Sequence, residues 1–375
     1  MRYDALIVGA GPAGSVVARL LAQAGWQVAL VERAAFPRRK VCGEFMSADS
    51  LPVLEACGVA KAFSAAAGPQ ITRIGIYAGD IILTAPGERA WGRALGREHL
   101  DLLLRDAAVA AGARLYQPME LVALQRDAAG FLCRLGGAEV AARTVIAACG
   151  SWNARGLFAV TTCMSAPSDL FAFKAHFTSG RLPPGLISLL AFPGGYGGLV
   201  QTDTGRASLS CCIRRDVLAA VRARHPGKAA EAVLTHIMAT TRGAREALAG
   251  AVLEGGFLST GPIHPGMRPL HKDGVFFTGN IAGEAHPIIA EGISMAMQAS
   301  ALLARLLIAH RGEDYARAWR RSFAPRIRAA SLYAHLAMND AARIAALGLL
   351  GAVPSLIALG ARLSGKLASA LAPSA

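Results

Sequence analysis

A glycine-rich turn between two apolar segments near the N-terminus limits the fold more than any other feature. In YDALIVGAGPAGSVVARLLAQAGWQVALVER the runs 5–8 and 28–31 are apolar, and residues 15–24 show helical periodicity. A strand, a GxGxxG turn, an amphipathic helix and a second strand form the βαβ unit that binds dinucleotides. The spacing therefore predicts an α/β fold with a Rossmann-like domain and a parallel sheet.

The turn supplies the first candidate binding residues. Gly9 permits the tight turn. Gly11 lets the backbone approach a diphosphate, and Gly14 allows close packing of the helix. The start of the helix offers N–H groups to an anion. The residues of this group are Gly9, Gly11, Pro12, Ala13 and Gly14. Glu32 ends the second strand, where a carboxylate accepts hydrogen bonds from ribose hydroxyls and repels a 2′-phosphate. The loop therefore suits FAD or NAD; the alternative is a structural turn with a surface glutamate.

Composition excludes several classes of protein. The chain has 375 residues, is 53% hydrophobic and carries a net charge of +14. No basic stripe with interleaved aromatic residues accompanies this charge, so nucleic acid is not expected as a partner. Seven cysteines without metal-ligand spacing argue against a disulfide framework and a metal site, and the N-terminus lacks the pattern of a secretory signal. We therefore expect a reducing, cytoplasmic location.

The C-terminal region is both basic and apolar. The chain from Arg305 onwards contains ten Lys or Arg residues and three acidic ones. Within this region, residues 344–361 carry no charge. Such a run, about 18 residues long, is at the lower limit for crossing a bilayer, and Pro354 interrupts it. Three interpretations remain open: a membrane span, a hairpin in the membrane interface anchored by Arg343 and Arg362, and a buried helix pair. Peripheral membrane contact is thus one expectation.

The segment DGVFFTGNIAGEAHPIIAEGISMAMQAS carries a family resemblance. With GAGPAG, it resembles the second dinucleotide motif of FAD-dependent monooxygenases related to para-hydroxybenzoate hydroxylase, and most closely their geranylgeranyl-reductase-like branch. The branch pattern GDAAGxxxPxxGEGI is matched by Gly279, Ala282, Gly283, Pro287, Glu291, Gly292 and Ile293. The resemblance extends over residues 1 to about 300, includes the CGE of FPRRKVCGEFMS, and implies FAD as the cofactor.

The resemblance also implies a domain arrangement. Residues 1–70, 95–160 and 260–305 would form a discontinuous FAD-binding domain. Short runs such as FAFKAHFT and GLISLLAFP, divided by Gly and Pro, predict an antiparallel sheet in an inserted substrate domain, residues 71–94 and 161–259. Residues 306–375 would form a helical C-terminal region.

The resemblance assigns further cofactor contacts. These are Arg33, Cys42, Gly43, Arg97, Gly279, Asn280, Pro287, Glu291, Gly292 and Ile293. A glycine turn that opens a helix at Gly292 can direct N–H groups at the flavin pyrimidine. The chain departs from the family at Asn280, where relatives have Asp, and at the segment Cys149-Gly150-Ser151-Trp152, where many have Asp-Gly.

Four residues are candidates for catalysis: Cys42, Glu44, Tyr196 and His286. The resemblance places Cys42 and Glu44 beside the flavin, where they could tune it or aid proton transfer. It places Tyr196 in the cavity-lining segment FPGGYGGLV, and His286 directly before Pro287, near the flavin, as a candidate proton donor. Packing or positioning is the alternative for each of them.

The resemblance leaves the reaction open. The sequence favours a monooxygenase that hydroxylates a hydrophobic small molecule resembling a polyketide, an alkyl-aromatic compound or an isoprenoid. The alternatives are a reductase of prenyl double bonds and a non-catalytic flavin-binding protein. Electrons would come from NAD(P)H or a reductase partner, because only one dinucleotide loop is present. The four tryptophans never occur two residues apart, unlike the WxWxIP motif of flavin-dependent halogenases.

Overall fold

A computed structural model describes residues 2–87, 90–150, 157–158 and 165–363. Two residues of the segment 149–152, where the chain differs from the family pattern, lie outside the described residues, namely Ser151 and Trp152. Residues 364–375 of the predicted C-terminal region also lie outside them.

The strands fall into two large sheets and two short ribbons. They are β1 (Arg2–Val8), β2 (Val28–Val31), β3 (Phe45–Ser47), β4 (Arg73–Ala78), β5 (Ile81–Pro86), β6 (Gly92–Ala94), β7 (Arg114–Tyr116), β8 (Leu121–Asp127), β9 (Gly130–Leu135), β10 (Ala138–Ala147), β11 (Leu170–Thr178), β12 (Leu186–Phe192), β13 (Gly195–Gln201), β14 (Ala207–Arg214), β15 (Val252–Ile263), β16 (Gly266–Met267), β17 (His271–Lys272), β18 (Val275–Phe277) and β19 (Gly283–Glu284).

The helices cover the sheets and form most of the C-terminal region. They are α1 (Pro12–Gln23), α2 (Leu51–Ala56), α3 (Ala60–Ala66), α4 (Arg97–Ala110), α5 (Arg215–Arg224), α6 (Ala229–Thr240), α7 (Arg242–Ala247), α8 (Gly292–Ile308), α9 (Tyr315–Met338), α10 (Asp340–Ala352) and α11 (Ser355–Leu363).

The first sheet has the parallel arrangement that the N-terminal motif predicts. Its strands β7, β2, β1, β10 and β18 run parallel in that order, and β9 pairs with the first half of β10. All four residues of β2 are buried, as in parallel sheets covered on both faces. Val8 lies opposite both Val31 and Ala147. The ends of three strands therefore meet where the glycine loop begins.

The second sheet forms a separate layer with the order β15-β11-β14-β13-β12-β4-β5. Its strands are antiparallel except β4 and β12, which run parallel because β4 reaches the sheet from a distant part of the chain. Strand β15 continues to Ile263, so it crosses the predicted boundary after residue 259. The segment predicted only as sheet also contains α5 to α7, whose apolar residues pack on the sheet.

The C-terminal helices pack on both layers. Trp319, Phe323 and Ile327 of α9 join the core of the first sheet. Residues Leu347 of α10 and Ile357 of α11 are buried against the second. Across the described residues no single helix has the length and apolar character to cross a membrane; α10 and α11 meet those criteria only as a pair bent by 118°.

Candidate functional site

The glycine loop is held by close main-chain contacts. Gly9 has φ +105°, and a Cβ there would stand 2.7 Å from the carbonyl oxygen of Ala148. A Cβ on Gly14 would stand 1.7 Å from the carbonyl oxygen of Gly9. At Gly11, by contrast, a Cβ would have only the Arg97 guanidinium nearby, at 3.6 Å. Gly9 and Gly14 therefore build the turn, whereas the space beside Gly11 is free for a ligand's close approach.

Glu32 fixes the other side of the loop. Its buried carboxylate accepts hydrogen bonds from the main-chain N–H groups of Ala10 and Ala34, each at 2.9 Å. The Arg38 guanidinium donates a third at 3.1 Å. The two carboxylate oxygens have two lone pairs each and accept three hydrogen bonds, so one acceptor site, on Oε1, remains for a ribose hydroxyl. The structure thus gives Glu32 a role in shaping the loop in addition to its predicted ribose contact.

A long cavity of about 550 Å³ joins the glycine loop to the second sheet. Its lining includes residues of the loop and the end of β2, of the FPRRKVCGEFMS segment, of the second sheet and of α9. Of the predicted cofactor contacts, only Gly14 and Glu291 do not line it. Those that do are Gly9, Gly11, Pro12, Ala13, Glu32, Arg33, Cys42, Gly43, Arg97, Gly279, Asn280, Pro287, Gly292 and Ile293.

The segment that begins at Gly279 packs directly against the glycine loop and also lines the cavity. Gly279 has φ +71°, and a Cβ there would meet the Ala13 side chain at 2.9 Å, so this glycine lets the two segments approach. The Asn280 amide donates to the Glu284 carboxylate at 3.0 Å. A carboxylate is therefore still present beside the position where the family has Asp. Glu291 is fully buried behind the start of α8 and accepts a hydrogen bond from the Ser47 hydroxyl at 3.0 Å.

Arg97 begins α4 at the cavity wall. Its guanidinium donates two hydrogen bonds to the fully buried Asp101 carboxylate, at 2.7 and 2.8 Å. Burial alone would lower the pKa of Arg97, but the Asp101 carboxylate outweighs burial and raises it. This bidentate pair ties the Arg97 guanidinium to a residue one turn further along α4 and holds it, 11% exposed, in the cavity wall. The neighbouring Cys42 lines the cavity and packs partly against the apolar cluster beneath it.

Glu44 is the centre of a buried charge cluster. It has a left-handed backbone, with φ +61°, and is completely buried. The Lys174 ammonium pairs with one carboxylate oxygen, which also accepts the main-chain N–H of Arg97 at 3.0 Å. The other oxygen lies 2.7 Å from His176 Nε2. These contacts connect the loop in front of the cavity to β11 of the second sheet.

The cluster determines the protonation of Glu44. The Arg39 guanidinium contacts His176 Nδ1, so His176 links Arg39 to the Glu44 carboxylate. Burial alone would raise the pKa of Glu44, but the His176 hydrogen bond and the Lys174 ammonium outweigh it and lower this pKa to about 2. The carboxylate therefore has no proton to give at neutral pH. The geometry supports a positioning role for Glu44 rather than the predicted proton transfer.

The structure brings Tyr196 and His286 together. The Tyr196 hydroxyl lies 3.2 Å from His286 Nδ1. Tyr196 is buried and lines the cavity, whereas His286 lies behind it, outside the lining. Burial raises the pKa of Tyr196 well above its ordinary value and lowers the pKa of His286 to about 4. A neutral imidazole beside a protonated phenol matches a supporting histidine, and of the two residues Tyr196 is the one that lines the cavity.

Two further groups in the lining have shifted pKa values. Burial, with the Arg38 and Arg97 charges nearby, lowers the pKa of Lys40 to about 8. Burial raises the pKa of Cys149 to about 11. Cys149, which replaces the family's Asp, is therefore an uncharged thiol at neutral pH.

Sequence analysis did not identify Lys174 and His176. A signal was available: in FAFKAHFT they are two residues apart in a predicted strand, so they share one face of it, opposite the face that carries the phenylalanines. Their partner, Glu44, is about 130 residues away in the chain, and no local pattern indicates the pairing.

The site fits FAD. Helices α1 and α8 both begin at the cavity, and no side chain among the described residues caps either start. Uncapped N–H groups at helix starts bind anions, as the diphosphate and the flavin pyrimidine require. The open space beside Gly11 is where a diphosphate would approach, and the remaining length of the cavity can hold a flavin ring.

Comparisons with known proteins agree with this fit. The family model described as "FAD binding domain" matches residues 2–163. Digeranylgeranylglycerophospholipid reductase 2 of Methanopyrus kandleri is 30% identical over 312 residues, 78% of this chain and 74% of that protein. Menaquinone reductase of Mycolicibacterium smegmatis is 26% identical over 331 residues, 85% of this chain and 79% of that protein.

A flavin-dependent brominase has a similar structure, with a TM-score of 0.77, 20% identity and coverage of 98% of this chain and 94% of its own. At this identity the likeness shows the fold alone. The sequence relatives are more informative, because one of them reaches 30% identity over most of its length. The chain is therefore an FAD-dependent oxidoreductase and belongs to the superfamily of geranylgeranyl reductase-like enzymes and para-hydroxybenzoate hydroxylase-type monooxygenases.

Proposed function

We propose that the protein is an FAD-dependent reductase that saturates carbon–carbon double bonds in a prenylated lipid. The observation that carries the proposal is the apolar end of the cavity, which we define by its lining residues from the second sheet. These are Ile187, Leu189, Leu258 and Ile263. Such a lining suits an uncharged hydrocarbon chain and excludes water from the reacting carbons.

The names of the relatives support the choice of substrate. Menaquinone and digeranylgeranylglycerophospholipid are both prenylated lipids, and both proteins are named as reductases. The sequence pattern alone favoured hydroxylation, and that reaction is the principal alternative outcome of the test below.

The bound FAD would supply hydride chemistry. The chain would bind its adenosine side through Glu32 and the glycine loop, with Arg97 held by Asp101 at the cavity wall. Reduction of a double bond also needs a proton at the second carbon. We assign that proton to the Tyr196 hydroxyl, which stays protonated at neutral pH, is buried at the cavity wall and has His286 behind it. The electron donor in this proposal is NAD(P)H or a separate reductase protein.

Product mass distinguishes the reactions. The purified holoenzyme, reduced with dithionite, NADH or NADPH, is incubated with a detergent-dispersed polyprenyl lipid, and the lipid is analysed by mass spectrometry. A gain of two hydrogen atoms per double bond supports the proposal. Addition of one oxygen atom in air identifies a hydroxylase instead, and unchanged lipid with every donor contradicts the proposed substrate class.

Tyr196→Phe tests the proton assignment. It removes the hydroxyl and keeps the ring that fills this part of the buried site. We expect turnover to fall by about 100-fold, within the range for loss of a general acid, with the flavin spectrum unchanged. Turnover equal to that of the unmodified enzyme would remove Tyr196 from the mechanism.

A further inference from the structure

Helices α10 and α11 expose an apolar surface. Its large members are Ile344, Leu349, Val353, Leu359 and Leu363, which are 41 to 69% exposed. Between residues 344 and 361 every exposed position is apolar or glycine except Ser355, and the whole interval has no charged side chain. Exposed helices of globular proteins normally carry charged residues on the solvent face. We call this surface the C-terminal apolar face.

The opposite side of the same hairpin is part of the protein core. Leu347 packs with Ala78 and Ala191 of the second sheet. Ile357 belongs to a cluster with Ile74 and Ala85 of the sheet. Because these contacts hold α10 and α11 against the sheet, the hairpin lies along the protein surface, with the C-terminal apolar face outward.

The basic charge of the C-terminal region favours a negatively charged partner. The chain from Arg305 onwards contains ten Lys or Arg residues against three acidic residues, half of the net charge of +14. Arg343, at one end of the charge-free interval, pairs with Asp340 at 2.8 Å and its side chain is 14% exposed, so the attraction rests on the excess of the whole region rather than on this residue. A basic region with an exposed apolar helical surface is typical of helices that lie in the interface of an anionic bilayer.

The face also lies close to the apolar end of the cavity. Ile187, Leu189 and Val200 line the cavity and belong to the same apolar cluster as Ile357 and Leu350 of the hairpin. The hairpin and this part of the cavity wall therefore belong to one apolar cluster.

We propose that the C-terminal apolar face seats the protein on the surface of an anionic lipid bilayer, with the apolar end of the cavity toward the membrane. Its role in substrate delivery rests on the proposed reduction of a prenylated lipid, because such a lipid resides in the bilayer. The seating itself depends only on the exposed side chains and on charge.

Two matched variants of the full-length holoenzyme test the seating. Leu349→Glu/Val353→Glu places two carboxylates on the face, at positions 57% and 41% exposed. Val122→Glu/Val252→Glu makes the same change in charge at positions 47% and 60% exposed on β8 and β15. The measurement is co-sedimentation with vesicles of phosphatidylcholine alone and of phosphatidylcholine mixed with phosphatidylglycerol, while thermal unfolding and flavin content verify folding.

We expect the unmodified protein to bind the anionic vesicles more tightly than the neutral ones. The face variant should lose about tenfold or more in binding, and the control variant should lose less than half as much on a logarithmic scale. Equal losses in the two variants, or no vesicle binding by the unmodified protein, would overturn the proposal. A concentration-dependent dimer that only the face variant disrupts, without vesicle binding, would instead assign the face to a second copy of the chain.

Turnover separates this inference from the proposed function. With detergent-dispersed lipid, the face variant should be as active as the unmodified enzyme; with vesicle-embedded lipid it should be slower in proportion to its binding. Full activity of the face variant on vesicle-embedded lipid contradicts delivery through the face. If the protein binds vesicles but reduces no prenylated lipid, the proposed reductase function is refuted, whereas the proposed membrane binding through the C-terminal apolar face is not.

Discussion

Removing Lys174 tests whether the buried cluster around Glu44 holds the two layers together. Lys174 is 1% exposed, and its ammonium pairs with a carboxylate that is fully buried. Lys174→Met keeps most of the side-chain volume on β11 and deletes the charge. Glu44 would then retain only the hydrogen bonds from His176 and from the main-chain N–H of Arg97.

The size of the effect follows from the protonation of Glu44. Its pKa falls from 4.5 to about 2 in the folded protein. At about 1.4 kcal/mol per pKa unit, the folded environment favours the ionised carboxylate by about 3 kcal/mol. Removing one partner of a buried pair costs about 3–5 kcal/mol in general, which is the same range. Because the His176 hydrogen bond contributes to the pKa shift as well as Lys174, we take the lower end of this range and expect Lys174→Met to lower the free energy of unfolding by about 3 kcal/mol.

The assay is urea unfolding of the holoenzyme at neutral pH and a fixed excess of FAD, because bound cofactor contributes to apparent stability. Glu44→Gln/Lys174→Met removes both charges and should lose less stability than Lys174→Met alone. Arg214→Met is the control, since the Arg214–Asp216 pair has side chains 36% and 38% exposed. Such a pair contributes less than about 1 kcal/mol.

The pH dependence provides a second readout. A folded-state pKa below the unfolded value gives stability that is present above pH 4.5 and is lost as the pH falls toward about 2. Lys174→Met should flatten this loss. If Lys174→Met costs no more than Arg214→Met, or if its stability falls with acid as steeply as that of the unmodified protein, the buried-pair reasoning is refuted.

Three further predictions concern the cofactor side of the cavity. In Gly11→Ala the new methyl group would contact only the Arg97 guanidinium, so the fold should stay intact. FAD affinity, measured by fluorescence titration, should fall by about tenfold or more. Gly136→Ala is the control, because a methyl group there has nothing within 4 Å and should change neither the fold nor the affinity. Asn280→Asp replaces a donor to Glu284 by a second carboxylate, so the melting temperature should fall at neutral pH and recover in acid; an unchanged melting temperature contradicts this. His286→Ala should leave the pH profile of kcat between about pH 6 and 8 unaltered, because the His286 imidazole is already neutral in this range. If the variant loses an ionisation from the profile in this range, His286 is a proton donor after all.

Much of the cofactor frame could be predicted from the sequence. The first strand, the glycine turn and α1 are contiguous, so their steric and periodic requirements appear within one short segment. The parallel pairing of β4 with β12 was not predicted, because a strand's own residues do not specify which distant strand it will contact.

The candidate catalytic residues divide in the same way. Sequence alone selected Glu44, Tyr196 and His286, but the roles proposed for them depend on neighbours that only the fold supplies. Glu44 was predicted to aid proton transfer, but Lys174 and His176 of β11 pair with its carboxylate and indicate a positioning role instead. His286 lies behind Tyr196, where burial removes its charge.

The sequence by itself therefore determined the βαβ unit, the glycine loop, the position of Glu32 and the charge-free C-terminal run, because each depends on local backbone geometry or composition. The tertiary structure decided the buried cluster around Glu44, the shape of the cavity and which side of α10 and α11 faces outward. These features depend on contacts between residues far apart in the chain. Burial and charge pairing, which set pKa values and exposure, exist only once those residues have been brought together.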